Sequence, residues 1–276
     1  MGTCTYCGQT AGFLRSKHKE CEQKYNKGWT DMTSLAKEAI LGNFELDNIE
    51  KKMTEIANCH YITNDKIRLA LTSGWERAVD NFLEDGILSS DEETKLSSFA
   101  DKFSLQQQDL DNKGAYTRMV KAGVIRDLTE GKLPQRIRLS GQLPLSLQKN
   151  ENLIWVFPSV SYYEDKARRH YVGRTQGVSI RILKGVYYRT GVFQGHPVET
   201  TERVHMGDGL LGVTNKHIYF VGGQKSLRVK YDKIVSYIPF DNGIGIHRDA
   251  ASAKPQIFIT GDGWFTYNLI MNAQNV

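Results

Sequence analysis

Gly209-Leu210-Leu211-Gly212-Val213-Thr214-Asn215-Lys216-His217-Ile218-Tyr219-Phe220 decides the fold class of the second half of the chain. Two runs of β-forming residues flank Asn215-Lys216, a tight-turn pair, so the stretch predicts an antiparallel hairpin. Gly222-Gly223 supplies the next turn and Ser226-Leu227-Arg228-Val229 the next strand. Working outward, Leu153 to Phe157 is a short apolar run that Pro158 should stop. Val178 to Ile182 alternates, and Gly185 to Arg189 is rich in β formers. Ile234 to Ile238, Gly243 to His247 and Gln256 to Thr260 add three more strands, and Gly263 to Asn272 reads as a closing helix. Many short strands at close spacing predict a bent antiparallel sheet or small barrel.

The hairpin and its continuation, Ser226 to Val229 and then Lys230-Tyr231-Asp232-Lys233-Ile234-Val235-Ser236, resemble the core of the GRAM and bacterial pleckstrin-homology-like families. The rhythm is a strand ending in Thr, a hairpin to an aromatic strand, then a strand leading into Tyr-Asp-Lys-Ile. The resemblance implies a strongly bent antiparallel sheet closed by a C-terminal helix, over residues 133–276, with an insertion at 162–207. That insertion carries the densest basic cluster, Lys166, Arg168, Arg169, His170 and Arg174, beside Tyr162, Tyr163 and Tyr171. Cations interleaved with aromatics suit an acidic partner: a lipid headgroup, an acidic protein tail or single-stranded nucleic acid. A solvated basic loop accounts for the same residues, and Glu164 and Asp165 dilute the charge.

Upstream the texture changes. Residues 31–132 contain no Pro and carry helical periodicity. Thr33 or Ser34 is a candidate cap for a helix through Leu35, Ala39, Ile40 and Leu41. Leu46, Ile49, Met53 and Ile56 form a second apolar face. Ile67, Leu71, Trp75, Val79, Phe82 and Leu83 form a third, ended by Glu84-Asp85-Gly86. Ser89-Ser90-Asp91-Glu92 is a capping box opening a helix through Leu96, Phe99 and Phe103. These faces predict a helical bundle of roughly 70 to 90 residues. Phe82 to Leu105 resembles the tellurite-resistance B-like helical domain, which implies a bundle and transfers no site residues. The acidic turn is no calcium loop, because Leu83 stands where a carboxylate ligand is needed. Helices followed by strands make the whole an α+β multidomain chain: 1–30, 31–132 and 133–276.

Residues 1–30 read Cys4-x-x-Cys7, ten residues, then His18-x-x-Cys21. Two ligand pairs on short arcs are what a closed tetrahedral site requires, so Cys4, Cys7, His18 and Cys21 predict one structural zinc ion. Cys7-Gly8 lets the first arc turn. If a helix opens near Lys17, the three-residue step puts His18 and Cys21 on one face. The segment resembles a treble-clef or zinc-ribbon finger. A redox Cys-x-x-Cys leaves His18 and Cys21 without a purpose. Cys59-His60 does not chelate, since neighbours on a helix diverge by about 100°; a buried thiol beside a surface imidazole is expected there.

The chain has 276 residues, 40% hydrophobic and 24% charged, with a net charge of +5 that is too diffuse to imply nucleic acid. No apolar run approaches the roughly 18 residues of a membrane span, and no secretory signal opens the chain. A cytoplasmic protein, soluble or peripheral to a membrane, is expected. Its candidate acid–base groups are His170, His196, His205, His217, His247, Asp249 and Asp262, and they match no catalytic motif. Enzymatic activity is left open by the sequence. The expected function is a non-catalytic zinc-binding recruitment protein whose C-terminal domain engages a protein partner or an acidic membrane lipid. A nucleic-acid-binding regulator or stress and phage-defence factor is the alternative, and an uncharacterised hydrolase the third reading. The oligomeric state is not encoded in any motif.

Overall fold

The computed structural model describes residues 2–138, 141, 143–171, 180–183, 186–188, 197–250 and 254–276, with side chains described outside 166–201. Arg174, Val178, Ser179, Gly185, Arg189 and His196 lie outside the described residues. The chain divides into two compact units, Met1–Arg136 and Ile137–Val276.

The first unit opens with a two-stranded ribbon, β1 (Gly2–Thr3) against β2 (Thr10–Gly12). Helix α1 (Lys19–Leu41) follows, with His18 as its extended N-cap and Gly42, at φ 95°, as its left-handed C-cap. Thr33 and Ser34 therefore sit mid-helix and do not start it. Thr33 is fully buried, its hydroxyl donates to the Thr30 carbonyl, and it accepts from Arg77 at 3.0 Å. A residue able to cap was used instead to receive a neighbouring helix.

A 3-10 turn at Leu46–Asn48 leads into α2 (Ile49–Cys59), then α3 (Asp65–Phe82), α4 (Ser90–Lys102), α5 (Gln107–Leu110) and α6 (Ala115–Thr129). The predicted capping box is present: Ser89 accepts from the Glu92 amide, and Glu92 accepts from the Ser89 amide. Asp85 accepts from the Ile87 amide and Gly86 has φ +77°, so the acidic stretch is a turn. Helices α1 and α3 meet closely at Gly74, where a Cβ would stand 2.3 Å from that of Ala36. Trp75 fills the core at 1% exposure and donates to the Leu96 carbonyl, tying α3 to α4. Arg136 closes the unit by pairing with Glu93 and Asp127.

The second unit contains β3 (Leu153–Tyr171), β4 (Ile180–Leu183), β5 (Val186–Tyr188), β6 (Pro197–Thr214), β7 (His217–Gly222), β8 (Ser226–Lys230), β9 (Ile234–Phe240), β10 (Gly243–Arg248), β11 (Gln256–Ile259) and α7 (Gly263–Ala273). Seven of these strands form one antiparallel sheet in the order β8-β7-β6-β3-β11-β10-β9, and β4 pairs separately with β5. Among the described residues β8 and β9 are the two edges of an open sheet. Pro158 does not stop β3. It falls in a register irregularity between Phe157 and Val160, where a missing N–H breaks no ladder bond. The stretch expected as an insertion starts as a continuation of β3 and β6, paired from Tyr162↔Gly207 out to Tyr171↔Pro197. Asp262 caps α7 through the Phe265 amide, and Phe265 packs on Trp155 and Phe157.

One polar cluster inside this unit had no signal in the sequence. The Glu151 side chain is fully buried before β3 and is ringed by donors. Its Oε1 accepts from Thr214 (2.6 Å) and from His217 Nδ1 (2.8 Å), and its Oε2 from Tyr219 (2.7 Å) and the Gln148 amide (2.7 Å). Thr214 in turn accepts from the His217 amide, which fixes the β6–β7 turn. Burial alone would raise the Glu151 pKa. The Thr214 hydroxyl, Gln148 amide, Tyr219 hydroxyl and His217 ring outweigh it and hold the carboxyl at about 2 against an ordinary 4.5. A depressed folded-state pKa means that this stability is present above pH 4.5 and lost as pH falls towards 2. The shift corresponds to about 3 kcal/mol at neutral pH. Glu151→Gln, which cannot ionise, should lower the stability of this unit by that order and flatten its acid dependence. Paired urea melts of both proteins across this pH range check the expectation.

Candidate metal centre

Among the described residues, one group of side chains could hold a metal ion: Cys4, Cys7, His18 and Cys21, with ligand atoms all within 4.8 Å of one another. The sequence spacing is realised by three local devices. Gly8, at φ +72°, reverses the chain after Cys7, and its amide bonds back to the Cys4 carbonyl. The β1–β2 ribbon and a Thr5 amide to Ser16 carbonyl bond bring the two arcs together. Helix α1 then places Cys21 one turn beyond His18.

The donor distances fit one tetrahedral ion. His18 Nδ1 lies 3.4 Å from Cys7 Sγ and 3.7 Å from Cys21 Sγ. Zn–S and Zn–N bonds of about 2.3 and 2.0 Å at a tetrahedral angle require about 3.5 Å. The imidazole is oriented from behind: its Nε2 is 3.0 Å from the Thr10 carbonyl, an acceptor, so Nε2 carries the proton and Nδ1 presents its lone pair. The His18 amide donates to Cys4 Sγ at 3.5 Å.

The electrostatics differ between the thiols. Burial raises the Cys4 thiol, but the backbone amides of Cys7, His18 and Tyr6 aimed at its sulfur bring it down to about 6. Burial pushes the Cys21 thiol up to about 11, reinforced by the sulfurs of Cys7 and Cys4 beside it. A divalent ion bound here would favour the thiolate at both positions. None of the four cysteines of the chain is in a disulfide.

The centre is built into the bundle rather than appended to it. Gly28 of α1 has no side chain because His60 packs on it; a Cβ at this position would fall 2.4 Å from that of His60. His60 Nδ1 bonds the Ile56 carbonyl, and the next residue, Tyr61, places its hydroxyl by Cys21. Cys59 is exposed and His60 half-buried, the reverse of the expected thiol-in, imidazole-out arrangement. The close helix approach at Gly28 selects His60 for packing.

The remaining candidates are dispersed. Lys166, Arg168 and Arg169 lie on the part of β3 paired only with β6, in register with Glu202, Thr200 and Glu199. His170 lies opposite Val198 on the same ribbon. His217 belongs to the Glu151 cluster and Asp262 is a helix cap. His247 Nε2 is buried without a hydrogen-bond partner. Asp249 follows β10, its amide bonding the Lys233 carbonyl. Ser161, His205 and Asp208 do meet, yet Asp208 Oδ1 receives both the serine hydroxyl (2.5 Å) and His205 Nε2 (3.2 Å). A catalytic triad needs the histidine between the other two, so this is a carboxylate bridging two donors.

No protein-family model, curated protein or solved structure matches the chain.

Tyr61 follows His60 at the end of α2, and the Cys21 sulfur beside it raises its hydroxyl pKa. Tyr61→Phe should weaken metal binding about tenfold without dismantling the four-donor set. A competition titration against a metal-sensitive chelator measures this directly.

Proposed function

We propose that this chain is a non-catalytic zinc-binding recruitment protein, with zinc holding the start of the first unit and a pleckstrin-homology-like second unit engaging a protein partner or an acidic membrane lipid. The observation that carries the reading is the closed donor set. Three sulfurs and one imidazole from the protein would fill all four positions of a tetrahedral ion, leaving none for a catalytic water. Soft thiolates with one imidazole select zinc over the hard, oxygen-preferring cations. The second unit supports the recruitment part: seven antiparallel strands followed by a helix agree with the sheet and closing helix that the resemblance implies. Residues 209–220, which carry that resemblance, form the β6–β7 hairpin.

The purified chain should contain one zinc per molecule, and its cobalt form should show the intense visible bands of tetrahedral sulfur ligation. Cys21→Ser should weaken those bands and lower the affinity. A chain that binds no zinc, or binds it with octahedral cobalt spectra, sinks the metal assignment. Hydrogen exchange of the zinc-loaded chain with phosphoinositide vesicles tests the second half of the reading, with new protection expected within Ile137–Val276. Salt-sensitive binding to single-stranded DNA that is lost in Arg168→Glu with Arg169→Glu, without lipid protection, would favour a nucleic-acid role instead.

A further inference from the structure

The loop between β2 and α1, Gly12-Phe13-Leu14-Arg15-Ser16-Lys17-His18, presents two large apolar side chains to solvent. Phe13 is 84% exposed and Leu14 is 90% exposed, more than any other large hydrophobic residue among those described. Single exposed apolar residues are ordinary, but an adjacent pair at a loop tip is not. The loop is not free to fold them back. Its base is clamped by the Thr5–Ser16 backbone bond, by Thr10 on the His18 ring and by the metal-ligand cluster itself. Gly12 at φ +97° and Leu14 at φ +57° set the reversal at the tip. A leucine in the left-handed region is disfavoured, and at this tip no burial within the first unit offsets that cost.

The charge around the tip is one-sided. Arg15, Lys17, Lys19, Lys24 and Lys27 lie within residues 13–27, against Glu20 and Glu22. Glu22 is paired with Lys17, and Lys24 rests over the Tyr61 ring, while Arg15, Lys19 and Lys27 are exposed. Two apolar side chains are too small a patch for a specific protein interface, which buries about 800 Å² per partner. They are sufficient for a bilayer interface, which demands no shape complementarity and rewards apolar tips flanked by cations.

We propose that Phe13 and Leu14 form a membrane-contact tip that enters the interfacial layer of an anionic bilayer, with Arg15 and Lys19 set against lipid headgroups. The tip belongs to the finger, so this contact is independent of what the second unit binds. Each basic residue near an anionic surface contributes about a fivefold gain in partition, so the contact is sensitive to both apolar and charge substitutions.

The test is co-sedimentation of the zinc-loaded full chain with phosphatidylcholine vesicles, with and without phosphatidylserine. Wild type should partition onto the phosphatidylserine vesicles and poorly onto the neutral ones. Phe13→Ser with Leu14→Ser should lower that partition by about tenfold or more, and Arg15→Glu with Lys19→Glu should do likewise. Both pairs of positions are exposed, so zinc content and circular dichroism should be unchanged. As a second readout, Phe13→Trp should gain emission that brominated lipids quench. Wild type that stays in solution overturns the proposal, as does loss of binding to a protein partner in the double-serine variant while vesicle binding is absent. Vesicle association kept by both double variants also overturns it, placing the contact elsewhere and leaving the reading of the second unit standing.

Discussion

Three cysteine sulfurs and an imidazole nitrogen held within 4.8 Å of one another are an electrostatic problem before they are a structural motif. The thiols bind metal only as thiolates, and clustered thiolates repel. The first unit meets the problem with backbone amides aimed at the Cys4 sulfur. A divalent cation would compensate the remaining charge. Everything N-terminal to α1 is too short to form a core of its own, and its geometry follows from satisfying that centre.

The consequence extends along α1. The same helix that carries Cys21 in its first turn carries Met32, Ala36, Ala39 and Ile40 into the bundle core. His60 on Gly28 and Tyr61 by Cys21 connect the centre to the end of α2 as well. The four-ligand cluster therefore stands at the start of the first bundle helix and at the base of the loop whose tip exposes Phe13 and Leu14. The second unit has a corresponding anchor in Glu151, a buried carboxylate that joins the approach to β3 to the β6–β7 turn.

What was legible in the sequence was local. The Cys–His spacing, the Ser89 capping box, the Asn215-Lys216 turn and the strands around it each depend on residues within a few positions of one another. What was not legible depends on partners far along the chain. Thr33 looks like a cap until Arg77 arrives from α3. Pro158 looks like a stop until β3 bulges there against β6. Glu151 is an ordinary acid in Lys149-Asn150-Glu151-Asn152, and its partners Thr214, His217 and Tyr219 lie more than sixty residues away. Cys59 and His60 exchanged their expected burial because Gly28 offers room for a ring. A glycine in mid-helix was the available signal, since it costs about 1 kcal/mol relative to alanine and so implies close packing.

The proposed zinc would organise the start of the first unit and nothing in the second. Amide hydrogen exchange of the full chain, before and after removal of zinc by a chelator, addresses this most directly. The account predicts loss of protection in residues 2–18 and the first turns of α1, with the strands of the β3–β11 sheet unchanged. Unchanged protection around Cys4 to Cys21 after complete removal of zinc would contradict it, and so would loss of protection throughout both units.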